Sequence, residues 1–229
     1  MFDDRQQAGR DLAAALDKLK LPQPVVLALP RGGVPVAAEV AKALDAPLDL
    51  LVVRKVGAPG NPELAVAAIV DGEPPDIVLN REIVEAYKLG NSALAELIKH
   101  ERPELERRRA IYRGDRRPAS VEGKTAILVD DGAATGTTMK VAIRALKRRS
   151  PREVVVALPV APAETVAELS LEADRVVCLS QPSHFRALGY HYRTFRQLSD
   201  EEVIEALQEA ATRNNAKSRG SKPRREVGS

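Results

Sequence analysis

Residues 126–149 constrain this chain more than any other stretch. A continuous apolar run, residues 126–129, ends in two adjacent carboxylates, Asp130 and Asp131. Small and hydroxyl-bearing residues follow, Gly132 to Thr138, and then a helical pattern over residues 139–149. An apolar run bounded by polar residues reads as a buried strand. A tight turn from such a strand into a helix aims backbone N–H groups and hydroxyls at one point, at the positive end of the helix dipole, which makes an anion site. The two carboxylates would repel a phosphate, so they serve another part of the ligand. Sugar hydroxyls, or a Mg²⁺ held on them, suit carboxylate oxygens. Phosphate and diol side by side describe a ribose 5-phosphate. The structural alternative is an ordinary α/β turn with two exposed Asp residues and a hydroxyl helix cap.

Elsewhere strands and helices alternate. Residues 5–20 have helical spacing and stop at Pro22 and Pro24. Strands are expected at residues 25–29, 48–53, 64–70, 76–79, 125–129, 153–158 and 175–179, with helices over 36–44 and 164–171. Residues 56–62, with two Gly and two Pro, predict a flexible loop. A helical insertion, broken near Gly90-Asn91 and bent at Pro103, is expected over about 81–117. Ser199 with Glu202 has the form of a capping box, opening a helix to about Thr212. This order predicts an α/β fold, a mainly parallel central sheet with helices on both faces. In such sheets ligands bind beyond the carboxyl ends of the strands.

Two further segments fit an anionic ligand. Pro30-Arg31-Gly32-Gly33 follows the first core strand: the glycines allow close backbone approach, and Arg31 is a permanent cation. A plain turn would also explain the Gly-Gly pair. Arg54-Lys55 is expected at the end of the second strand, where adjacent cations suit an anionic partner or simple solvation at the rim. Residues 185–196 hold most of the aromatics in a chain with three Phe, four Tyr and no Trp. Those rings fit either a ligand or the packing of a small lobe.

Composition narrows the class. With 44% hydrophobic residues the chain can bury an aliphatic core. One cysteine, Cys178, excludes an internal disulfide and suits a reducing compartment; its neighbours Val177 and Leu179 make it a strand residue. No apolar span approaches the roughly 18 residues of a membrane helix, and no leader pattern opens the chain, so a cytoplasmic protein without a membrane partner is expected. Six basic residues and no acids between Arg213 and Arg225 predict a disordered basic tail over 213–229, the one segment that leaves a nucleic-acid role open. The arginines at 107–109, 113, 116 and 117 alternate with Glu101, Glu104 and Glu106 and read as a solvated helical face.

The segment 126–138 resembles the 5-phosphoribosyl-1-pyrophosphate (PRPP) signature of type I phosphoribosyltransferases, in which a hydrophobic strand meets two acids and a Thr-Gly-x-Thr loop. The resemblance covers roughly residues 25–202. It implies the type I phosphoribosyltransferase fold in one domain, residues 1–212, with a small C-terminal hood at about 180–198. It further implies that Asp130 and Asp131 hold the ribose hydroxyls. Ala133, Ala134, Thr135, Gly136, Thr137 and Thr138 would wrap the 5′-phosphate, and Arg31, Gly32, Gly33, Arg54 and Lys55 would face pyrophosphate. Phe185 and Tyr190 are the base-binding candidates. The implied reaction transfers 5-phosphoribosyl from PRPP to a nucleobase-like nitrogen acceptor. Mg²⁺ would arrive on PRPP, with no metal ligands from the protein, and a homodimer would be common company. One departure stands out: purine 6-oxo enzymes carry an Asp where this chain has Ala134, so their acid/base device is missing. That departure and the basic tail keep a second reading open, a PRPP- or nucleotide-sensing regulator with little catalytic activity. A kinase-type phosphate loop is disfavoured because Thr137 stands where its lysine would be.

Overall fold

The computed structural model describes residues 1–220 apart from Glu73 and Asp115, with side chains described to Arg213 except at Glu63. Five parallel strands form the central sheet: β1 (Pro24–Ala28), β2 (Leu48–Leu50), β6 (Thr125–Val129), β7 (Glu153–Val160) and β8 (Arg175–Ser180), in the order β2-β1-β6-β7-β8. A separate antiparallel sheet holds β3 (Val53–Ala58), β4 (Asn61–Val70) and β5 (Asp76–Leu79).

Period-two alternation explains how the parallel sheet is covered on both sides. Val26, Ala28, Ile127, Val129, Val155 and Ala157 face one core, where α1 (Arg5–Asp17) contributes Leu12 and Leu16 and α2 (Gly33–Ala43) contributes Val36 and Val40. Val25, Leu27, Ala126, Leu128, Val154 and Val156 face the other. There α5 (Thr137–Lys147) supplies Met139, Ile143 and Leu146, and α6 (Ala163–Ser170) supplies Leu169. The expected α/β architecture is therefore present, and the aliphatic composition is spent on these two layers.

The insertion is helical as expected: α3 (Arg81–Ala86), then α4 (Asn91–Arg113), which runs through Pro103. Its Leu105 and Tyr112 join the first core beside Leu207 of α7 (Asp200–Gly220). The Ser199 capping box forms in both directions: Ser199 N–H donates to Glu202 Oε2 at 3.0 Å, and Glu202 N–H donates to Ser199 Oγ at 3.3 Å. However, α7 continues to Gly220, past the expected stop at Thr212. No Gly or Pro interrupts residues 200–219, so nothing local ends the helix earlier. Of the expected basic tail, residues 213–220 are thus helical, and 221–229 lie outside the described residues.

A second correction concerns residues 48–62. The parallel strand ends at Leu50, and Val53 opens an antiparallel hairpin rather than closing a core strand. Gly57, Pro59, Gly60 and Pro62 do not make a loop, since only Pro59-Gly60 turns between β3 and β4. The register shifts around Val56–Ala58, an irregularity that accommodates Gly and Pro inside strands. Apolar pairing of Val53 with Val70 and Val56 with Ala67 carries the ladder past the Gly/Pro signal.

Among the described residues, no helix is long and apolar enough to cross a membrane.

Candidate active site

The chain order reverses between β1 and β6: β2 lies to one side of β1, whereas β6, β7 and β8 lie to the other. The loops leaving β1 and β6 therefore part at a switch point and leave a crevice between them. Residues 30–33 line one side, and residues 130–136 line the other. Gly33 N–H donates to Leu29 C=O at 3.1 Å and Leu29 N–H to Val129 C=O at 2.9 Å, which ties the two strand ends together. The Pro30–Arg31 peptide is cis.

These loops touch closely. Gly32 has ordinary right-handed angles (φ −57°), so its lack of a side chain serves space rather than conformation. A Cβ there would lie 2.2 Å from Asp131 Oδ2 and 2.5 Å from Asp131 Cγ. We expect Gly32→Ala to keep the fold while displacing the Asp131 carboxylate. Overpacking of this kind costs roughly 1–3 kcal/mol. Thermal melting checks it: the melting point should drop modestly, with the unfolding transition still cooperative.

Asp131 is 6% exposed. Its Oδ2 accepts from Arg5 Nε at 2.7 Å, and its carbonyl accepts from the Tyr192 hydroxyl at 2.5 Å. Asp130 Oδ1 accepts from the Asp131 backbone N–H at 2.9 Å. Burial, reinforced by the adjacent Asp131 charge, pushes the Asp130 carboxyl well above its ordinary range. The two acids thus differ in kind: one lies against an arginine, and the other is drawn toward its neutral form.

The loop after them is braced from outside. Ala133 N–H donates to Val160 C=O at 3.1 Å, and Thr165 Oγ1 donates to Ala134 C=O at 2.6 Å. Gly132 (φ +153°) passes against the Val160 carbonyl and Leu188, where no larger residue would fit. Ala134, Thr135 and Thr137 are exposed; the Thr135 and Thr137 hydroxyls lie 3.1 Å apart. α5 begins at Gly136 with no side-chain cap and no acid in its first turn. Its first N–H groups are therefore left for an incoming anion.

A cavity of about 360 Å³ opens where Arg5, Arg31, Gly32 and Asp131 meet Leu188, Phe195 and Arg196. Arg31 lies 3.8 Å from Asp200, whose carboxylate also accepts from the Tyr112 hydroxyl at 2.5 Å. Asp200 and burial together raise the Tyr112 phenol to about 12, with burial the larger cause.

The structure thus gathers Arg31, Gly32, Gly33, Asp130 and Asp131 at one point, with residues 133–138 forming the adjoining loop. Arg54 and Lys55 do not end a strand of the parallel sheet. They lie on β3 of the hairpin, where Arg54 Nε donates to Glu101 Oε2 at 2.6 Å and Lys55 is exposed. The physical reason is the early end of β2.

Phe185 stacks on His191, ring centroids 5.0 Å apart, inside the hood cluster with Tyr192 and Phe2, whereas Phe195 and Leu188 reach the cavity. Tyr190 is 70% exposed. Phe195 shares the aromatic segment with Phe185, and nothing in the local pattern distinguishes them. Nothing in the sequence marks Arg5, which reads only as the first residue of an amphipathic helix.

No cluster of three or more His, Cys, Asp or Glu able to hold a metal occurs among the described residues. The donor chemistry at the site, two carboxylates beside an uncapped helix N-terminus, would suit a Mg²⁺ carried on phosphates, which commonly takes one or two protein carboxylates and several waters.

Comparison with known proteins shows the family. Residues 2–192 match the family model described as the phosphoribosyl transferase domain. Two Mycobacterium tuberculosis proteins, from strains CDC 1551 and H37Rv, are provisionally named as phosphoribosyl transferases. Each is 47% identical over 210 residues, 92% of this chain. The chain spans about half the length of these relatives, 47%. The crystal structure of TT1426 from Thermus thermophilus superposes with a TM-score of 0.82 at 45% identity, covering 91% of this chain and 98% of that one. With an α/β sheet whose switch point holds the acid pair, the Gly/Thr loop and the Arg-Gly-Gly turn, this chain belongs to the phosphoribosyl transferase domain family.

Proposed function

We propose that the protein transfers a 5-phosphoribosyl group from PRPP to a nitrogen of a nucleobase-like acceptor, releasing pyrophosphate. The observation that carries this reading is the closure of Arg31-Gly32 onto Asp131. A cationic, backbone-rich turn lies directly beside the Asp131 carboxylate, which supports a diol and a pyrophosphate being held side by side. In this reading the exposed Thr135 and Thr137, with the first N–H groups of α5, take the 5′-phosphate. Asp130 and Asp131 hold the ribose hydroxyls, and Arg31 faces the pyrophosphate. Lys55, exposed on the hairpin, is proposed as a second pyrophosphate cation, and Leu188 and Phe195 as the apolar wall for the acceptor.

Departure of pyrophosphate leaves positive charge at the anomeric carbon and negative charge on the leaving group. The work of the chain is to fix the ribose and neutralise the leaving oxygens. Mg²⁺ on PRPP, when present, would share that neutralisation, and Asp130 and Asp131 would help to hold it. No covalent nucleophile is needed. Because residue 134 is alanine, no side chain of the phosphate loop can take the acceptor's proton. We therefore favour an acceptor that reaches the site already deprotonated, or that loses its proton to water.

The test is a panel of purine, pyrimidine and other nitrogen heterocycles incubated with PRPP and Mg²⁺, with pyrophosphate release measured. Release with one acceptor class, lost in Asp131→Asn, is the expected result. No release with any acceptor, despite tight PRPP binding, would move the assignment to a PRPP-sensing regulator, which the missing loop acid also accommodates.

A further inference from the structure

We propose that Arg5 is a positioning residue that sets the orientation of the Asp131 carboxylate and couples it to the hood. The inference rests on the assignment of Asp131 to the ribose.

Arg5 opens α1, far from the site in sequence, yet it is 9% exposed and held on three sides. Its Nε donates to Asp131 Oδ2 at 2.7 Å. Its Nη1 donates to the Arg196 carbonyl at 2.9 Å. Its guanidinium carbon lies 4.0 Å from the centroid of the Phe195 ring. A planar fork that must satisfy two acceptors while lying on a ring has few alternative orientations, and neither has the carboxylate it holds.

The backbone that carries Arg5 is itself pinned. Asp4 caps α1 by accepting from Gln7 N–H at 2.7 Å. Phe2 N–H donates to His191 C=O at 2.8 Å, Arg193 N–H to Phe2 C=O at 2.9 Å, and Thr194 N–H to Asp3 C=O at 2.9 Å. The N-terminal segment and the hood therefore move together, and Arg5 delivers their position to Asp131. Tyr192, whose hydroxyl bonds the Asp131 carbonyl, adds a second link from the hood to the same residue.

The arrangement suits a permanent support rather than a displaceable latch. One hydrogen bond to Oδ2 uses a fraction of a carboxylate's acceptor capacity, which leaves Oδ1 and the remaining lone pairs for hydroxyls. Pulling Arg5 away at each turnover would leave two buried charges without partners, which is strongly disfavoured.

Calorimetric titration of the full chain with PRPP-Mg²⁺ and, separately, with inorganic pyrophosphate tests the role. Arg5→Gln is expected to weaken PRPP binding roughly tenfold to hundredfold, the scale of a small misplacement of a binding group. Pyrophosphate binding, which depends on the Arg31 turn, should stay within about twofold. Arg5→Lys, which keeps the charge but loses the fork, should fall between wild type and Arg5→Gln for PRPP. Unchanged or tighter PRPP binding by Arg5→Gln would overturn the inference, as would an equal loss for both ligands. If Arg5→Gln does not melt cooperatively, Arg5→Lys decides on the same criteria: weaker PRPP with pyrophosphate unchanged supports the role, and wild-type PRPP affinity overturns it. Failure of the underlying assignment looks different. In that case Asp131→Asn binds PRPP as well as wild type, or the wild type does not bind it at all.

Discussion

Asp131→Asn is expected to lower PRPP affinity at least about a hundredfold and to lower the melting temperature as well. Two losses combine. A carboxylate accepting hydrogen bonds from ribose hydroxyls is worth about 1.5–3 kcal/mol per charged bond, and an amide of the same shape replaces one acceptor oxygen with a donor. The second loss falls on Arg5, which keeps its charge but no longer meets a carboxylate at 2.7 Å. Breaking a buried pair from one side typically costs about 3–5 kcal/mol. Asp130→Asn makes the comparison sharp. Burial and the Asp131 charge already push Asp130 toward its neutral form, so a neutral amide there should change stability little while still weakening ribose binding. Thermal melting and PRPP titration of both variants check the pair. Equal melting points for the two variants would contradict the different electrostatic settings of the adjacent acids.

Arg113→Ala is expected to destabilise the protein by about 3–5 kcal/mol without touching the proposed site. Arg113 closes α4 and is 7% exposed. Its Nη1 pairs with Asp71, 2% exposed, at the end of β4, and its Nη2 donates to the Leu50 carbonyl at 2.8 Å and lies 3.2 Å from Asp49. One guanidinium thus joins the helical insertion, the hairpin sheet and the edge strand β2. Removing it leaves the buried Asp71 with the more distant Arg109, 3.8 Å away, as its cation. For a domain of this size the change corresponds to a fall of roughly 6–20 °C in melting temperature. Replacing both partners with apolar residues, Arg113→Met with Asp71→Leu, should recover part of the loss, because no buried charge is then stranded. A double variant that melts lower than Arg113→Ala would show that hydrogen bonds to Leu50 and Asp49 dominate instead.

What could be read in the sequence follows from how local each feature is. The acid pair, the phosphate loop and the Arg31-Gly32-Gly33 turn each occupy a few consecutive residues beside an apolar strand. Strand carboxyl ends in a parallel sheet share one edge, so placing the strands placed those loops. The capping box of α7 was legible for the same reason, since its partners are three residues apart. Arg54 and Lys55 were displaced because a run of apolar residues does not show where one sheet stops and another starts. Leu50 ends the parallel ladder, and Leu51 and Val52 carry the chain across to the hairpin without a change in hydropathy. In the hood, Phe185 and Phe195 are equivalent by composition. Only tertiary contacts separate them: Phe185 stacks on His191, while Phe195 stacks on Tyr192 and meets Arg5.

By itself, then, the sequence determined the two-layered α/β core, through period-two burial on parallel strands, and the loops of the proposed site, through short motifs with fixed local geometry. Tertiary structure alone decided how that site is held. The Arg5–Asp131 pair at the site spans 126 positions, and the Arg113–Asp71 pair, which holds the fold away from it, spans 42. No residue near either partner signals the other, because a buried ion pair forms wherever packing brings two charges out of water together. The same physics gave the adjacent acids, Asp130 and Asp131, their different settings: one is left to burial, and the other is met by an arginine from the far end of the chain.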